Sequence, residues 1–267
     1  MGHLIKVVDL RESLSMDRVF YDPDTINLQF KYYQWLVGLF IIFYILTNVL
    51  AVKVCHFFIF TFLAGIITYP FSYCICDIVT EVYGFQRARQ LVYFGVFCSY
   101  LFIVCIKFAD SLPAENSWHL ENSFHDILNS AMPRIMLAST IATIVGDLVN
   151  CKLIAKLKIR LNKWMWFRFV SSTAIGTIVD NTTFTMLAFW GTKPIEWILI
   201  LLLNQYCLKL SYLALLSPLS VRISRFLKKA EKSDIYDSRT NFSPFNLKIA
   251  YTKDDNYYGR KFGKDDR

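Results

Sequence analysis

Charge is scarce in this sequence. Only 19% of its 267 residues are Asp, Glu, Lys or Arg and 55% are hydrophobic, where an ordinary soluble domain has about 25% charged residues. That balance argues against a purely water-soluble fold. Glycine and proline number only 10 and 7, too few for a collagen-like or a Pro/Gly-rich disordered chain. The 7 cysteines form an odd set and most lie in apolar runs, where a thiol behaves as a small hydrophobe. Cys74 and Cys76 are one residue too close for the usual zinc pair, so neither a disulfide framework nor a metal site is expected. A nucleophile elbow, a phosphate-binding glycine loop and an HExxH motif are all missing, so the chain reads as a non-enzyme without a cofactor, and any ATP would act through a separate protein. The first thirty residues lack an apolar run followed by a small-residue cleavage site, and no cleaved signal peptide is expected.

What charge there is lies at the ends. Nine charged side chains fall in residues 1–33 and seventeen in 228–267, leaving twenty-four for the 194 residues between. A bilayer core about 30 Å thick needs roughly 20 mostly apolar residues in a helix, and six stretches qualify: about 34–52, 57–79, 91–109, 135–157, 169–190 and 195–219. Counting Lys and Arg in the connections with the N-terminus inside gives 24 on the inner side and 2 on the outer. Cytoplasmic loops hold that excess in membrane proteins. The expected fold is therefore an all-α polytopic membrane protein with six transmembrane helices and both ends cytoplasmic. It divides into an N-terminal segment 1–33, a transmembrane domain 34–226 and a charged tail 227–267, the tail being expected in part without fixed structure. The net charge of +8 then reflects topology and calls for no nucleic-acid partner. In the outer segment 110–132, Trp118 and Phe124 suit a short amphipathic turn at the interface; His119 and His125 there read either as a metal or pH-sensing pair or as plain loop polarity.

Ionisable side chains inside a span are costly and mark function by default. Tyr69, Tyr73, Asp77 and Glu81 recur every four residues in the second span, along one side of a helix. Pro70 is expected to kink that helix and free carbonyls to line a cavity. On the alternative reading, Asp77 and Glu81 mark the helix end and pair with Arg87 or Arg89. The fourth and fifth spans repeat a pattern: Ser139-Thr140 with Asp147 eight after the serine, and Ser172-Thr173 with Asp180 eight after its serine. Consecutive spans run in opposite directions, so the copies would be related by a pseudo-two-fold axis in the membrane plane, as in transporters with a midplane site. Alternatively these are packing faces whose acids satisfy Arg134 and Arg168. Asn150 and Asn181 add amides beside each acid. Carboxylates, amides and hydroxyls suit a neutral, flat, hydrogen-bonding solute better than an anion, and a proton or sodium relay is the competing use of the same acids.

The run Ala64-Gly-Ile-Ile-Thr-Tyr-Pro-Phe-Ser-Tyr-Cys-Ile-Cys-Asp-Ile-Val-Thr-Glu-Val-Tyr-Gly-Phe-Gln-Arg-Ala-Arg89 resembles the signature of the queuosine-precursor transporter family, the VUT-type membrane proteins of bacteria. Thr47-Asn-Val-Leu-Ala-Val-Lys53, Pro133-Arg134, Gly146-Asp-Leu-Val-Asn150 and Asp234-Ile-Tyr-Asp237 are similar to further stretches of that family. Thr177 and Asn181 depart from it, where Gln and Thr are frequent. The resemblance implies uptake of a 7-deazaguanine, such as 7-cyano-7-deazaguanine or its aminomethyl relative, across the bacterial cytoplasmic membrane for tRNA modification. It also places the chain in the bilayer and is compatible with a homodimer. Under it, Asp180 or Asp147 grips the guanine-like edge; Asn48, Asn150, Asn181 or Lys209 donates to its carbonyl; and Tyr69 or Tyr73 stacks on its face. Ser172 belongs to the same candidate site. Asp77 lines the exit or couples protons, and Glu81, Arg134 and Arg168 couple or gate. Rival readings are a carrier of another purine- or vitamin-like solute and, more remotely, an intramembrane aspartyl enzyme.

Overall fold

The computed structural model describes residues 30–58, 60–115, 117–127, 132–161 and 164–260. The expected N-terminal segment 1–33 lies almost wholly outside the described residues. Helix α1 spans Tyr33–Leu50. A two-stranded antiparallel hairpin follows, β1 Val54–Phe57 and β2 Phe60–Leu63, with Val54 opposite Leu63 and Phe57 opposite Phe60. A 3-10 turn, Ala64–Ile67, then leads into α2, Tyr69–Tyr83.

This arrangement corrects the expected second span at 57–79. Its first part is rich in aromatic and β-branched residues and pairs as strands; only its last part is helix. Pro70 does not kink that helix. It sits in the first turn, where a missing N–H costs nothing because that turn leaves its N–H groups unpaired anyway.

Helix α2 is 15 residues long, about 22 Å at 1.5 Å per residue, and its residues from Ile75 to Tyr83 are all buried. A helix buried on every face is the central post of a bundle. It packs against α1, against α3 (Phe85–Asp110), α5 (Met132–Arg160) and α7 (Ile195–Glu231). Helix α6 (Met165–Phe189) completes the bundle, lying along α5 and α7. Between α3 and α5 the short α4 (Glu121–Phe124) carries Phe124 against Trp118, ring centroids 5.7 Å apart.

Four of these helices, α1, α3, α5 from Pro133 and α7, are long and apolar enough to cross a membrane. The bundle is also turned inside out relative to a soluble protein. Phe97, Leu101, Val104, Phe108, Leu203 and Leu215 are more than half exposed, while Asn48, Asp77, Thr80, Glu81, Asn150 and Ser172 are buried. An apolar exterior on that scale needs lipid or a partner to cover it.

The tail is folded over its described residues, 232–260, while 261–267 lie outside the described residues. Residues 232–260 return to the corner between α2 and α3, where Gly84 has a positive φ of 88° and its bare Cα faces the ring and hydroxyl of Tyr251. Buried Arg89 donates to the carbonyls of Asn241 at 3.1 Å and Ser243 at 2.7 Å. Asp237 accepts from the Phe85 N–H at 3.0 Å, from Tyr251 at 2.6 Å and from Thr240 at 2.8 Å. Charge and poor periodicity suggested a loose extension, but its carbonyls and one acid supply the partners that a helix corner lacks.

Candidate functional site

A cavity of about 50 Å³, open to the outside, lies among the helices on the side nearest the hairpin. Five helices build it. Helix α1 supplies Tyr44, Thr47 and Asn48; α2 supplies Tyr69, Ser72 and Tyr73 from its first turns; α5 supplies Ser139, Thr143 and Asp147 at spacings of four. Asp180 and Phe184 come from α6, and Gln205 and Lys209 from α7. Each set follows from helical periodicity, which stacks residues four apart on one face.

Two carboxylates face this space in different states. Lys209 Nζ lies 3.0 Å from Asp180 Oδ2, and the Tyr69 hydroxyl donates to the same oxygen at 3.2 Å. The ammonium also sits 4.0 Å over the Tyr69 ring, a cation–π contact that fixes both. Asp147 has no hydrogen-bond or ion-pair partner among the described residues, though it is 93% buried by its 7% exposure. Around it, the Asn48 Nδ2, Tyr73 hydroxyl and Gln205 Nε2 are buried without partners. Buried polar groups are normally satisfied, and the gathering of a carboxylate and three unused polar groups on one cavity makes this the candidate site. The Tyr69 and Tyr73 rings, 5.3 Å apart and tilted by 37°, form its aromatic wall.

Close helix packing sets the geometry. A side chain at Gly146 would come within 2.6 Å of Asp180 Cβ, and one at Gly176 within 2.7 Å of Asn150 Cβ. Small residues let helix backbones approach closely in membranes, and here they bring α5 and α6 together so that Asp147 and Asp180 share one space.

Other sequence candidates lie elsewhere. Asn150 donates to Asp77 Oδ1 at 2.6 Å and Thr173 to its Oδ2 at 3.3 Å, so both belong to a second polar centre deeper along α2. Asn181 donates to the Leu202 carbonyl at 2.9 Å and Ser172 to the Phe169 carbonyl at 3.1 Å; neither borders the cavity. Arg134 caps the end of α6 through the carbonyls of Leu187 and Trp190 rather than an acid. Glu81 is held by Arg168 and Lys228, each at 2.6 Å, and not by Arg87 or Arg89. Lys228 and Lys158 both reach Asp234 at 2.7 Å, so α2, α5, α6, α7 and the tail meet in one ionic cluster at the end of the bundle away from the hairpin. Outside the helices, burial pushes the Asp237 carboxyl up from its ordinary value despite its donors. Sequence reasoning missed Tyr44 and Gln205. The signal for Gln205 was there, four residues before Lys209 in an otherwise apolar run. His125 pairs with Asp110 at 2.9 Å, and no group able to hold a metal occurs among the described residues.

The chain is similar in sequence to known proteins. Residues 63–223 match the family described as "Putative vitamin uptake transporter". The chain is 23% identical over 188 residues to a Bacillus subtilis (strain 168) protein named "Probable queuosine precursor transporter", covering 70% of this chain and 82% of that one. It is 25% identical over 128 residues to a Haemophilus influenzae protein of the same name, covering 47% of this chain and about half, 51%, of that relative. No solved structure matches.

Proposed function

The chain belongs to the vitamin uptake transporter family, and on that premise we propose that this membrane transporter imports a 7-deazaguanine queuosine precursor, with Asp147 as the residue that grips it. The supporting observation is the unequal state of the two acids: Asp180 is neutralised by Lys209, while Asp147 faces the same cavity without a partner. A deazaguanine presents a ring N–H and an exocyclic amino group side by side, two donors that one carboxylate accepts together, as Asp and Glu accept from base edges. Its carbonyl finds donors in Asn48 and Gln205, and its flat face finds the Tyr69 and Tyr73 rings.

The proposed topology is six spans with both ends in the cytoplasm of a bacterial cell, supported by the 24 to 2 division of Lys and Arg. The cavity then faces outward and the Glu81 cluster closes the cytoplasmic side. A homodimer is compatible with this arrangement. The pairing of Asp180 with Lys209 speaks against an aspartyl enzyme, which needs two carboxyls sharing one proton.

The test is uptake of labelled 7-cyano- and 7-aminomethyl-7-deazaguanine into cells that neither make nor import them, read as queuosine in tRNA. Restoration by this protein and its loss in Asp147→Asn support the reading. Membrane-inserted protein that restores nothing with either compound moves the assignment to another purine- or vitamin-like solute.

A further inference from the structure

Tyr69, Tyr73, Asp77 and Glu81 descend one side of α2. The two tyrosines border the solute cavity and Glu81 anchors the ionic cluster, so Asp77 stands between the site and its seal. A second, much smaller cavity, of about 10 Å³, lies beside it, with Cys74, Thr173, Ser217 and Ser220 as its other polar lining. The Ser217 hydroxyl is buried there without a partner.

Asp77, like Asp147 and unlike Asp180 and Glu81, has no cation beside it among the described residues. Asp180 has Lys209, and Glu81 has Arg168 and Lys228. Asp77, 3% exposed, has only an amide and a hydroxyl. An isolated carboxylate inside a membrane bundle is costly unless something neutralises it. Its titratable neighbours supply no cation. On α2 these are Tyr73, Cys74, Cys76 and Glu81, and on α5 they are Asp147 and Cys151. On α6 the nearest charged side chain is Arg168, engaged by Glu81; on α7, Lys209 and Lys228 serve Asp180 and Glu81.

We propose that Asp77 is a proton site that couples solute entry to a proton gradient, an inference that rests on the transport reading above. Asn150 suits both states of such a site. Its N–H donates to the carboxylate, and after a half-turn of the amide its Oδ1, now unpartnered, would accept from the carboxylic acid. Proton gain and loss thus each keep a hydrogen bond. The only bond made or broken is the carboxyl O–H, with the proton taken from water on the outer side and given to water on the inner. Sodium fits less well, because the Asn150 N–H turns positive charge towards the oxygen that would have to bind it.

The experiment uses the full chain in liposomes with labelled 7-cyano- and 7-aminomethyl-7-deazaguanine and a pH gradient, acid outside. With one proton per solute, each pH unit supports about a tenfold accumulation, which a protonophore abolishes. Asp77→Asn is expected to exchange solute across the membrane but to accumulate none, while Asp77→Glu keeps accumulation. Wild-type protein that only equilibrates its solute, accumulation driven by sodium at equal pH, or an Asp77→Asn variant that accumulates normally would each overturn the proposal. A solute-independent arm separates this from the transport reading: dicyclohexylcarbodiimide adds to a protonated buried carboxyl, so it is expected to label Asp77 at low pH and progressively less as pH rises. Labelling of Asp77 that does not change with pH counts against the proton site whichever solute is carried. Absence of exchange in the wild type refutes the deazaguanine reading, and with it coupling to these solutes, and leaves the proton site to the labelling arm.

Discussion

Lys209 on α7 reaches within 3.0 Å of Asp180 on α6, and this one pairing decides the character of the cavity. It turns one of two acids into half of a neutral, buried pair and leaves Asp147 as the carboxylate without an ion-pair partner among the described residues. The Tyr69 ring under the ammonium and the Tyr69 hydroxyl on the same carboxylate tie the pair to the start of α2.

Asp147→Asn tests the ligand role. A charged hydrogen bond contributes about 1.5–3 kcal/mol, so half-saturation for solute should rise by about 10- to 100-fold. Because Asp147 has no protein partner to orphan, thermal unfolding of the purified protein should not move to lower temperature. A variant that unfolds early would assign Asp147 to the fold.

Lys209→Met should behave in the opposite way. Removing one partner of a buried pair leaves an uncompensated charge and costs about 3–5 kcal/mol. The double variant Lys209→Met/Asp180→Asn should recover most of that loss in thermal unfolding. Equal stability of the single and double variants would show that the pair is not coupled.

Gly146→Ala probes the approach of α5 to α6. Its methyl group would lie 2.6 Å from Asp180 Cβ and 2.9 Å from Asp180 Cα. Overpacking of this kind costs about 1–3 kcal/mol, and the displaced Asp180 should lower uptake as well. Gly38→Ala, with nothing within 4 Å of the new atom, is the control and should leave uptake and unfolding unchanged.

The grip of the tail should depend on pH through Asp237, whose carboxyl is raised chiefly by burial. A carboxyl raised in the docked state holds its proton more tightly there than when released. Docking is therefore strongest at low pH and weakens as pH climbs from about 4, the ordinary carboxylate value, to the raised one. Proteolytic cutting within 241–248, measured relative to Asp237→Asn at each pH, should accelerate over that window. A ratio that falls with rising pH would contradict this sign.

Periodicity and charge made the helical membrane architecture, the inward face of α2 and the pairing of acids with small residues on α5 and α6 legible in the sequence, because spacing along one helix fixes which side chains share a face. The same spacing put Gln205 beside Lys209, though neither position was singled out as a pair. What spacing within a helix cannot encode is which face meets which. Asn150 follows Asp147 by three residues yet serves Asp77 on α2; Lys209 is 29 residues from the acid it neutralises; Arg168 bonds Glu81. The start of the expected second span, from 57, read as membrane helix, yet Phe57 and Phe60–Leu63 belong to paired strands. The tail looked like a solvated extension, yet its Asp237 serves the corner of α2 and α3 and its Asp234 joins Glu81's cluster. Those choices were made in the tertiary structure, where the close approach allowed by Gly146 and Gly176 helps determine which buried charge finds a partner and which is left without one.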